Sequence, residues 1–318
     1  MTSSQPQGPQ GAGRLDSWNG AGAGGHDWRT PSSVGLVLHP KRDCDDAAAV
    51  IVKWAADHDM AILGTSEEMQ RFSGHGTSVS AEDLGSHADL LISLGGDGTM
   101  LRAMRLADRQ RAPVLGVNLG KLGFLPEVDI PTLGKALSCL DARRFTIEPR
   151  LALDVTLDGR VVTAFNDIVL VRVPGYDAAA VGVEVEGRSF VSYAGDAVIV
   201  ATTTGSTAYS FSAGGPIVSP EVEAILVTPV APHSTFNRGI VVSVHEDVAL
   251  TILPGSGRLA VEVDGRIAGH VDPGQHFEVH PRPAAARVIR FGWLTFYERA
   301  RRKLRITDSP EIGTGEVR

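Results

Sequence analysis

Residues 88–101, Ala-Asp-Leu-Leu-Ile-Ser-Leu-Gly-Gly-Asp-Gly-Thr-Met-Leu, join an apolar run to a carboxylate held between glycines. The run over 88–94 predicts a buried strand of a parallel sheet, and the residues from Thr99 onward predict a helix. The glycines therefore occupy the turn at the carboxyl end of a strand, where open α/β sheets bind ligands. They let the backbone approach phosphate oxygens, and the helix start adds unpaired N–H groups. Because Gly-Gly-Asp-Gly is also a common turn sequence, a phosphate site and a plain turn both remain open.

Strands and helices alternate on both sides of this turn. A repeated strand–helix order is typical of a parallel sheet covered by helices, so residues 31–148 are predicted to form a Rossmann-like α/β domain. The predicted strands cover 34–38, 60–63, 88–94 and 114–117, and predicted helices cover 46–58 and 131–144.

The pattern changes after Pro149 to short β-rich runs separated by turns. These runs cover 151–157, 161–171, 181–186, 197–201, 240–244, 249–253 and 259–263. Hairpin-type turns are expected at Asp158-Gly159, Glu186-Gly187 and Asp264-Gly265. Residues 149–292 are therefore predicted to form an all-β sandwich domain.

The C-terminal tail, 293–318, is predicted to carry a helix over 293–304 that packs back on the fold. This helix contains Arg299, Arg301, Arg302 and Lys303. A solvated basic face is the main interpretation of this charge run, and contact with an anion is the alternative.

Charge and composition exclude several classes of protein. The chain has 318 residues, of which 43% are hydrophobic, and a net charge of −7, so it predicts a globular core and no general binding to nucleic acid. No apolar run reaches the roughly 18 residues that span a membrane, and the first 30 residues lack the apolar core of a signal peptide. We therefore expect a cytoplasmic protein. Cys44 and Cys139 lack the spacing of a disulfide framework or a zinc site, and no metal ligand set is predicted.

The first 30 residues are rich in Gly, Ser, Gln and Pro. Because such a segment buries too little apolar surface to offset its ordering entropy, residues 1–30 are predicted to be a disordered extension. Gly20, Gly22 and Gly25 satisfy the GxGxxG pattern of dinucleotide-binding proteins. No strand precedes them, so the match is interpreted as accidental.

A second polar segment lies over 193–216, where small, aromatic and hydroxyl side chains surround Asp196. Five hydroxyls offer hydrogen bonds to a ribose or an adenine edge, and Tyr209 offers a flat face for a base. The alternative is a helix cap with ordinary Ser/Thr turns. Upstream, Asn166-Asp167 interrupts an apolar run, which indicates either a site or a bend in a sheet. The five hydroxyls belong to Thr204, Ser206, Thr207, Ser210 and Ser212.

Five motifs of this chain resemble those of the NAD kinase family, in the same order, over about 34–304. They are Gly95-Gly96-Asp97-Gly98-Thr99, the Asn-Leu-Gly-Lys-Leu-Gly-Phe-Leu of 118–125, Asn166-Asp167, the Gly-Ser-Thr-Ala-Tyr-Ser and Ala-Gly-Gly-Pro of 205–216, and Pro232-His233-Ser234. The resemblance implies an α/β domain followed by a β-sandwich, and transfer of phosphate from ATP, with Mg²⁺ or another divalent cation, to the adenosine 2′-hydroxyl of NAD.

The resemblance also assigns roles to single residues. Asp97 matches the catalytic carboxylate, which is expected to act as general base for the incoming hydroxyl. Asn166 and Asp167 match the pair that holds the ribose hydroxyls, and Asp196 the acid at the nicotinamide end. The full set expected to bind NAD is Asp97, Gly98, Phe124, Asn166, Asp167, Asp196, Thr207, Ala208, Tyr209, Ser210, Phe211, Ser212 and Ala231. The set expected to bind ATP phosphates is Gly95, Gly96, Gly98, Thr99 and Arg102.

In relatives a neighbouring subunit completes the NAD site, so the resemblance implies a homodimer or a homotetramer. This chain departs from the family pattern in three places: Asp167 stands where Glu is more usual, Ala197 follows Asp196 where Gly is usual, and Ala201-Thr202-Thr203 replaces Ser-Thr-Pro. Two other functions are compatible with the Gly-Gly-Asp-Gly turn alone: a lipid or sugar kinase that shares this turn, and a dinucleotide sensor without catalysis.

Overall fold

The computed structural model describes residues 28–72, 75–108, 110 and 112–307. Its first part alternates strands with helices, as the sequence predicts. The elements are β1 (Ser33–Leu38), α1 (Asp45–Asp57), β2 (Ala61–Gly64), α2 (Ser66–Arg71), β3 (Thr77–Ser78), α3 (Ala81–His87), β4 (Leu90–Gly95), α4 (Asp97–Ala107), β5 (Pro113–Asn118), β6 (Val128–Asp129) and α5 (Leu133–Asp141).

The strands of this part form a parallel sheet in the order β3-β2-β1-β4-β5. Every residue of β1, β4 and β5 is buried, because separate apolar clusters pack on the two faces of the sheet. Burial on both faces explains why these strands are continuous apolar runs rather than alternating ones. The predicted Rossmann-like α/β domain is confirmed.

The second part is mainly antiparallel. Its elements are β7 (Thr146–Leu157), β8 (Arg160–Ala164), β9 (Asp167–Arg172), β10 (Ala179–Val185), β11 (Arg188–Gly195), β12 (Ala197–Thr202), α6 (Tyr209–Ser212), β13 (Ala224–Val230), β14 (Ile240–Ser243), β15 (Val248–Ile252), β16 (Leu259–Val263), β17 (Arg266–Val271), β18 (His276–Arg290) and α7 (Phe296–Leu304). A six-stranded sheet, β14-β13-β12-β9-β16-β17, packs against strands β8, β7, β18, β15, β10 and β11 through one apolar core. The predicted β-sandwich is confirmed.

Strand β18 joins the two parts into one sheet. Its first residues pair with β15 in the sandwich, whereas Arg287 and Val288 run parallel beside β5. β7 pairs with β18 along most of its length and contains Pro149, where the sequence predicts the border between domains. Strands β11, β13, β17 and β18 were not predicted. Polar and charged residues break the apolar pattern of β11, β17 and β18, whereas β13, Ala-Ile-Leu-Val-Thr-Pro-Val, is almost continuously apolar and was missed without such a reason.

The predicted run over 161–171 is two strands rather than one. β8 ends at Ala164 in one sheet and β9 begins at Asp167 in the facing sheet, so Phe165 and Asn166 form the crossing between them. The sequence offered two interpretations of Asn166-Asp167, a binding site or a bend in a sheet. The structure shows the bend, and the same residues lie beside the candidate site described below. The three predicted hairpin turns are confirmed by left-handed backbone at their Asp-Gly or Glu-Gly pairs, for example φ of 49° at Asp158 and 74° at Gly159.

The two ends of the described chain both pack on the α/β part. Trp28 is buried and its ring lies edge-on to Phe145, with 4.8 Å between centroids, so the segment predicted to be disordered contributes this residue to the core. Residues 1–27, with their GxGxxG match, lie outside the described residues. At the other end α7 starts at Phe296 and not at 293, because Thr295 and Glu298 form a capping box. None of the helices in the described ranges is long and apolar enough to cross a membrane.

Candidate active site

The Gly-Gly-Asp-Gly turn connects β4 to α4, and Asp97 is the first residue of the helix. The helix therefore starts two residues earlier than the sequence predicts. A Cβ atom added at Gly96 or Gly98 would meet no protein atom within 4 Å, so internal packing does not require glycine at these positions. Open space beside a helix start, with its free N–H groups, is suited to anionic oxygens.

The carboxylate of Asp97 is held on both oxygens. Oδ1 accepts the backbone N–H groups of Phe124, at 2.8 Å, and Leu125, at 2.9 Å. Oδ2 accepts the ammonium of Lys303 at 2.6 Å. A Cβ on Gly123 would lie 2.5 Å from Oδ1, which explains the glycine in Leu-Gly-Phe-Leu. Backbone donors occupy Oδ1 and the Lys303 ammonium contacts Oδ2, so a substrate hydroxyl that approaches this carboxylate would share Oδ2 with Lys303.

Two basic residues of α7 belong to this site, and the sequence did not indicate it. Lys303 also lies 4.6 Å from the centroid of the Phe124 ring, a cation–π geometry. Arg299 is 3% exposed and donates to the Phe124 carbonyl at 2.6 Å. The solvated interpretation of the basic helix is therefore wrong for these two residues, and the alternative, contact with an anion, holds for Lys303 at the Asp97 carboxylate. Arg299 and Lys303 are four residues apart, so both lie on one face of the helix. This spacing is the only signal of their shared position that the sequence carries.

The residues expected to bind ATP phosphates have different surroundings. Gly96 and Gly98 border open space, whereas Thr99 is buried and packs on Gly95. Arg102, one turn along α4, donates to the buried Glu68 at 2.5 Å and to the carbonyl of Leu38 at 2.7 Å. Its guanidinium is thus engaged within the protein, at the carboxyl end of β1.

The Asn166-Asp167 pair is positioned by a residue that the sequence analysis placed in a plain turn. The fully buried carboxylate of Asp264 accepts the backbone N–H groups of Phe165, Asn166 and Asp167. It also pairs with Arg105 at 2.5 Å. Because Arg105 and Asp97 share α4, this ion pair fixes Asn166 and Asp167 relative to the Gly-Gly-Asp-Gly turn.

Burial raises the pKa of Asp167 to about 7, and the negative charge of Asp264 adds to this effect. The backbone N–H of Tyr209 opposes the shift by donating to the carboxylate. Burial is also the main reason that the pKa of the Tyr209 phenol is raised, with contributions from Glu262, Asp196 and Asp167. The strand β9 and the helix α6 thus meet at Asp167 and Tyr209, as expected for one binding site.

The hydroxyl-rich segment is partly structural. Thr204 accepts from Arg150, Ser206 bridges to Val218, and Ser210 pairs with Thr228 at 3.0 Å. These three hydroxyls are therefore structural, but they bond to residues distant in the sequence and form neither the helix cap nor the local Ser/Thr turns of the alternative interpretation. A Cβ on Gly205 would lie 2.1 Å from the Asn166 carbonyl, so this glycine brings 205–212 close to the Asn166-Asp167 pair. The remaining members of the predicted set, Thr207, Ala208, Tyr209, Phe211 and Ser212, are half-buried or exposed.

Asp196 lies at the junction of β11 and β12, with 49% of its side chain exposed and its carboxylate 2.6 Å from Arg172. Its backbone N–H donates to Val230, next to Ala231, which has left-handed backbone with φ of 44°. Asp196 and Ala231 therefore lie together at the edge of the sandwich. Within the described ranges, no three His, Cys, Asp or Glu side chains form a group able to hold a metal ion.

Comparisons with known proteins cover both parts of the fold. Residues 34–145 match the ATP-NAD kinase N-terminal domain, and 165–291 match the ATP-NAD kinase C-terminal domain. The chain is 38% identical to NAD kinase 1 of Streptomyces avermitilis, over 88% of this chain and 89% of the relative. It is 36% identical to the NAD kinase of Mycobacterium tuberculosis, over 86% of this chain and 96% of that one.

Solved structures show the same fold. Yeast NADH kinase, solved with NADH, superposes with a TM-score of 0.80 over 89% of this chain and 90% of its own, at 24% identity. An NAD kinase from Archaeoglobus fulgidus, solved with ATP, gives a TM-score of 0.65 over 86% and 97%, at 22% identity. At these identities the likeness concerns the fold. The match extends beyond the single turn that lipid and sugar kinases share, because the models of both domains and the relatives named above cover most of the chain. The chain belongs to the ATP-NAD kinase family.

Proposed function

We propose that this protein transfers the terminal phosphoryl group of ATP to the adenosine 2′-hydroxyl of NAD, with Asp97 as the general base. Membership of the family supplies the two substrates. The observation that carries the role of Asp97 is its geometry: two backbone N–H groups fix Oδ1, Oδ2 contacts the Lys303 ammonium, and the side chain as a whole keeps 30% of its surface exposed. A fixed carboxylate oxygen within reach of a secondary hydroxyl accepts its proton as the phosphoryl group arrives.

The terminal phosphates of ATP bind, in this proposal, at the Gly-Gly-Asp-Gly turn. Support comes from the open space at Gly96 and Gly98 and from the free N–H groups at the start of α4. Phosphoryl transfer needs positioning and charge neutralisation more than covalent chemistry. Lys303, whose ammonium contacts Asp97, supplies a positive charge at the point where the two substrates would meet.

The adenosine of NAD lies, in this proposal, between the two parts of the fold. Phe124 forms one wall on the α/β side, while Asn166, Asp167 and Tyr209 face it from the sandwich. The backbone N–H of Asn166 donates to Asp264, whereas its side-chain amide makes no hydrogen bond to any described residue and is available to a ribose hydroxyl. The pair of Arg105 with Asp264 holds this side at a constant distance from Asp97.

A divalent cation enters with ATP. The site offers one carboxylate, Asp97, and no cluster of three acidic side chains among the described residues. This donor set fits Mg²⁺, which is commonly held by one or two carboxylates together with substrate phosphates and water. Bound there, Mg²⁺ would neutralise phosphate charge.

A second copy of the chain completes the nicotinamide end, in this proposal, within a homodimer or homotetramer. Support comes from Asp196, which is half exposed at the edge of the sandwich, and from the exposed rings of Tyr209 and Phe211. Neighbouring aromatic rings open to solvent are typical of a binding surface. We further propose that the enzyme acts in the cytoplasm.

The test is an assay for NADP formed from NAD, ATP and Mg²⁺. Asp97→Asn keeps the shape of the side chain but removes the proton acceptor, so we expect kcat to fall at least about 10²-fold. Asp57→Asn, an exposed carboxylate on α1, serves as the matched control and should leave kcat unchanged. Retention of more than half of the wild-type kcat by Asp97→Asn would exclude the general-base role, and absence of NADP from wild-type protein would exclude the activity.

A further inference from the structure

Two buried arginines from the C-terminal part of the chain hold the backbone behind Asp97. Arg299, on α7, donates to the carbonyl of Phe124 at 2.6 Å, and Arg290, at the end of β18, donates to the carbonyl of Leu125 at 2.6 Å. The two arginines are 3% and 8% exposed. The carbonyls that they hold belong to the same two residues whose N–H groups bind Asp97.

The peptide group that joins Phe124 to Leu125 contacts a charged group on each side. Its carbonyl accepts from Arg299, and its N–H donates to Oδ1 of Asp97 at 2.9 Å. Because the carbonyl and the N–H of a trans peptide point in opposite directions, this peptide lies between a cation and a carboxylate. A charged donor at the carbonyl polarises the peptide and makes its N–H a stronger donor.

Arg290 does not have the same link to Asp97. The carbonyl of Leu125 belongs to the peptide that joins Leu125 to Pro126, and proline has no N–H through which the contact could pass to another acceptor. Arg290 also pairs with the carboxylate of Glu148 at 3.3 Å. Of the two arginines, Arg299 is therefore the one that a single peptide connects to Asp97.

The surroundings of Arg299 are unusual for a buried cation. Its hydrogen bonds go to carbonyl oxygens, at 2.6 Å to Phe124 and at 3.4 Å to Pro126 and to Leu294. Burial lowers the pKa of Arg299 to about 10, and Asp97 is among the carboxylates whose charge opposes this shift. Because a buried cation without a contacting carboxylate is costly, stability alone does not account for an arginine at this position.

We propose that Arg299 is a positioning residue for the phosphoryl transfer. Its charge acts through the peptide between Phe124 and Leu125, which holds Oδ1 of Asp97 and thereby fixes the direction of Oδ2 toward the substrate hydroxyl. The inference rests on the proposed function, because Arg299 affects the reaction only through Asp97. Loss of the charge should lower kcat and leave the binding of both substrates nearly unchanged, since the carboxylate acts on the transition state.

The first test measures NADP formation by Arg299→Met. We expect kcat to fall at least about tenfold, with the KM for NAD and for ATP within about twofold of wild type. Arg299→Lys keeps a cation on a chain of similar length and should restore kcat to within about threefold of wild type. A raised KM for NAD with unchanged kcat would overturn the proposal, because it would mean that Arg299 only supports the Phe124 wall.

Arg282→Met is the matched control. Arg282 is also a structural arginine, but it pairs with Asp108 and Asp154 rather than with residues 124–125. Its replacement should lower Tm and leave kcat within about twofold of wild type. Equal kcat values for Arg299→Met and Arg282→Met would overturn the proposal.

A second route from Arg299 to Asp97 runs through α7, because this helix also carries Lys303, whose ammonium contacts Oδ2. A double variant separates the two routes. In a Lys303→Met background, Arg299→Met should still lower kcat at least about fivefold, since the peptide contact is independent of Lys303. No further loss in this background would assign the effect to the position of the helix and overturn the proposal.

Amide hydrogen exchange of Leu125, measured by NMR on the substrate-free protein, tests the contact without turnover. Exchange should be at least about tenfold faster in Arg299→Met than in Arg282→Met, because the N–H loses its polarising partner. Equal exchange in the two variants would refute the link. If Arg299→Met does not fold, Arg299→Gln replaces it in every test, since it removes the charge and keeps a polar amide. If wild type forms no NADP while exchange follows this expectation, the proposed function fails and the link from Arg299 to Asp97 stands.

Discussion

Replacement of Asp264 by Asn tests whether one buried carboxylate positions the Asn166-Asp167 pair. The wild-type side chain is fully buried, accepts three backbone N–H groups and pairs with Arg105 at 2.5 Å. Breaking a buried ion pair from one side costs about 3–5 kcal/mol. Since Arg105 keeps 27% of its side chain exposed, we expect the lower end, about 3 kcal/mol of unfolding free energy. The KM for NAD should rise as well.

Asp158→Asn is a matched control for this change. Asp158 and Asp264 both precede glycine in a hairpin turn, with φ of 49° and 47°, and Asn tolerates this backbone as well as Asp does. Asp158 is exposed, so its replacement should change the unfolding free energy by less than about 0.5 kcal/mol. The unfolding free energies of both variants are measured in urea and compared where their m-values are equal. The reasoning would be refuted if Asp264→Asn and Asp158→Asn lost amounts of unfolding free energy that agree within about 0.5 kcal/mol. It would also be refuted if the losses from Asp264→Asn and Arg105→Met added fully in the double variant.

Three further predictions concern the site itself. Lys303→Met should lower kcat about 10²-fold with little change in Tm, because a partly exposed ion pair adds little stability whereas a charge at the transferred phosphoryl group stabilises the transition state. Arg302→Met, which changes an exposed arginine next to it on α7, is the control, and a kcat of Lys303→Met within twofold of this control would contradict the prediction. The pKa of Asp167 is raised to about 7, so the unfolded chain loses this proton first and wild-type stability falls as pH rises from about 4 to 7. The difference in unfolding free energy between Asp167→Asn and wild type should therefore shift in favour of the variant between pH 5 and pH 8, by on the order of a few kcal/mol. If urea unfolding gives the same difference at both pH values, the burial effect is disproved. Asp196→Ala should lower kcat/KM for NAD about 10- to 100-fold and leave KM for ATP unchanged; equal weakening for both substrates would mean that Asp196 supports the fold instead.

Local patterns predicted most of the elements around the site. The buried strand, glycine turn and helix start of 88–101 are all determined within one short window, because strand burial, turn conformation and helix capping depend on neighbouring residues. The Asp-Gly turns were predicted for the same reason. Strand β18 was missed, since its apolar pattern is interrupted where it passes from the sandwich to the parallel sheet.

The basic helix shows the limit of this kind of inference. The sequence left two interpretations of this charge run, a solvated face and contact with an anion, and did not indicate which surface Arg299 and Lys303 meet. The structure places the face against Phe124 and Asp97, a contact across 206 residues of chain in the case of Lys303. A charge run therefore has the same appearance in the sequence whether it faces water or a carboxylate.

The sequence by itself determined the fold class, the family and the identity of the central carboxylate, because motifs at five places encode local backbone geometry and ligand chemistry together. Only the tertiary structure decided what holds these motifs in register. The pair of Arg105 with Asp264 joins residues 159 positions apart, and the buried arginines Arg150, Arg290 and Arg299 come from β7, β18 and α7. Such contacts depend on how strands and helices pack, and no local pattern of residues specifies which distant charge each one meets.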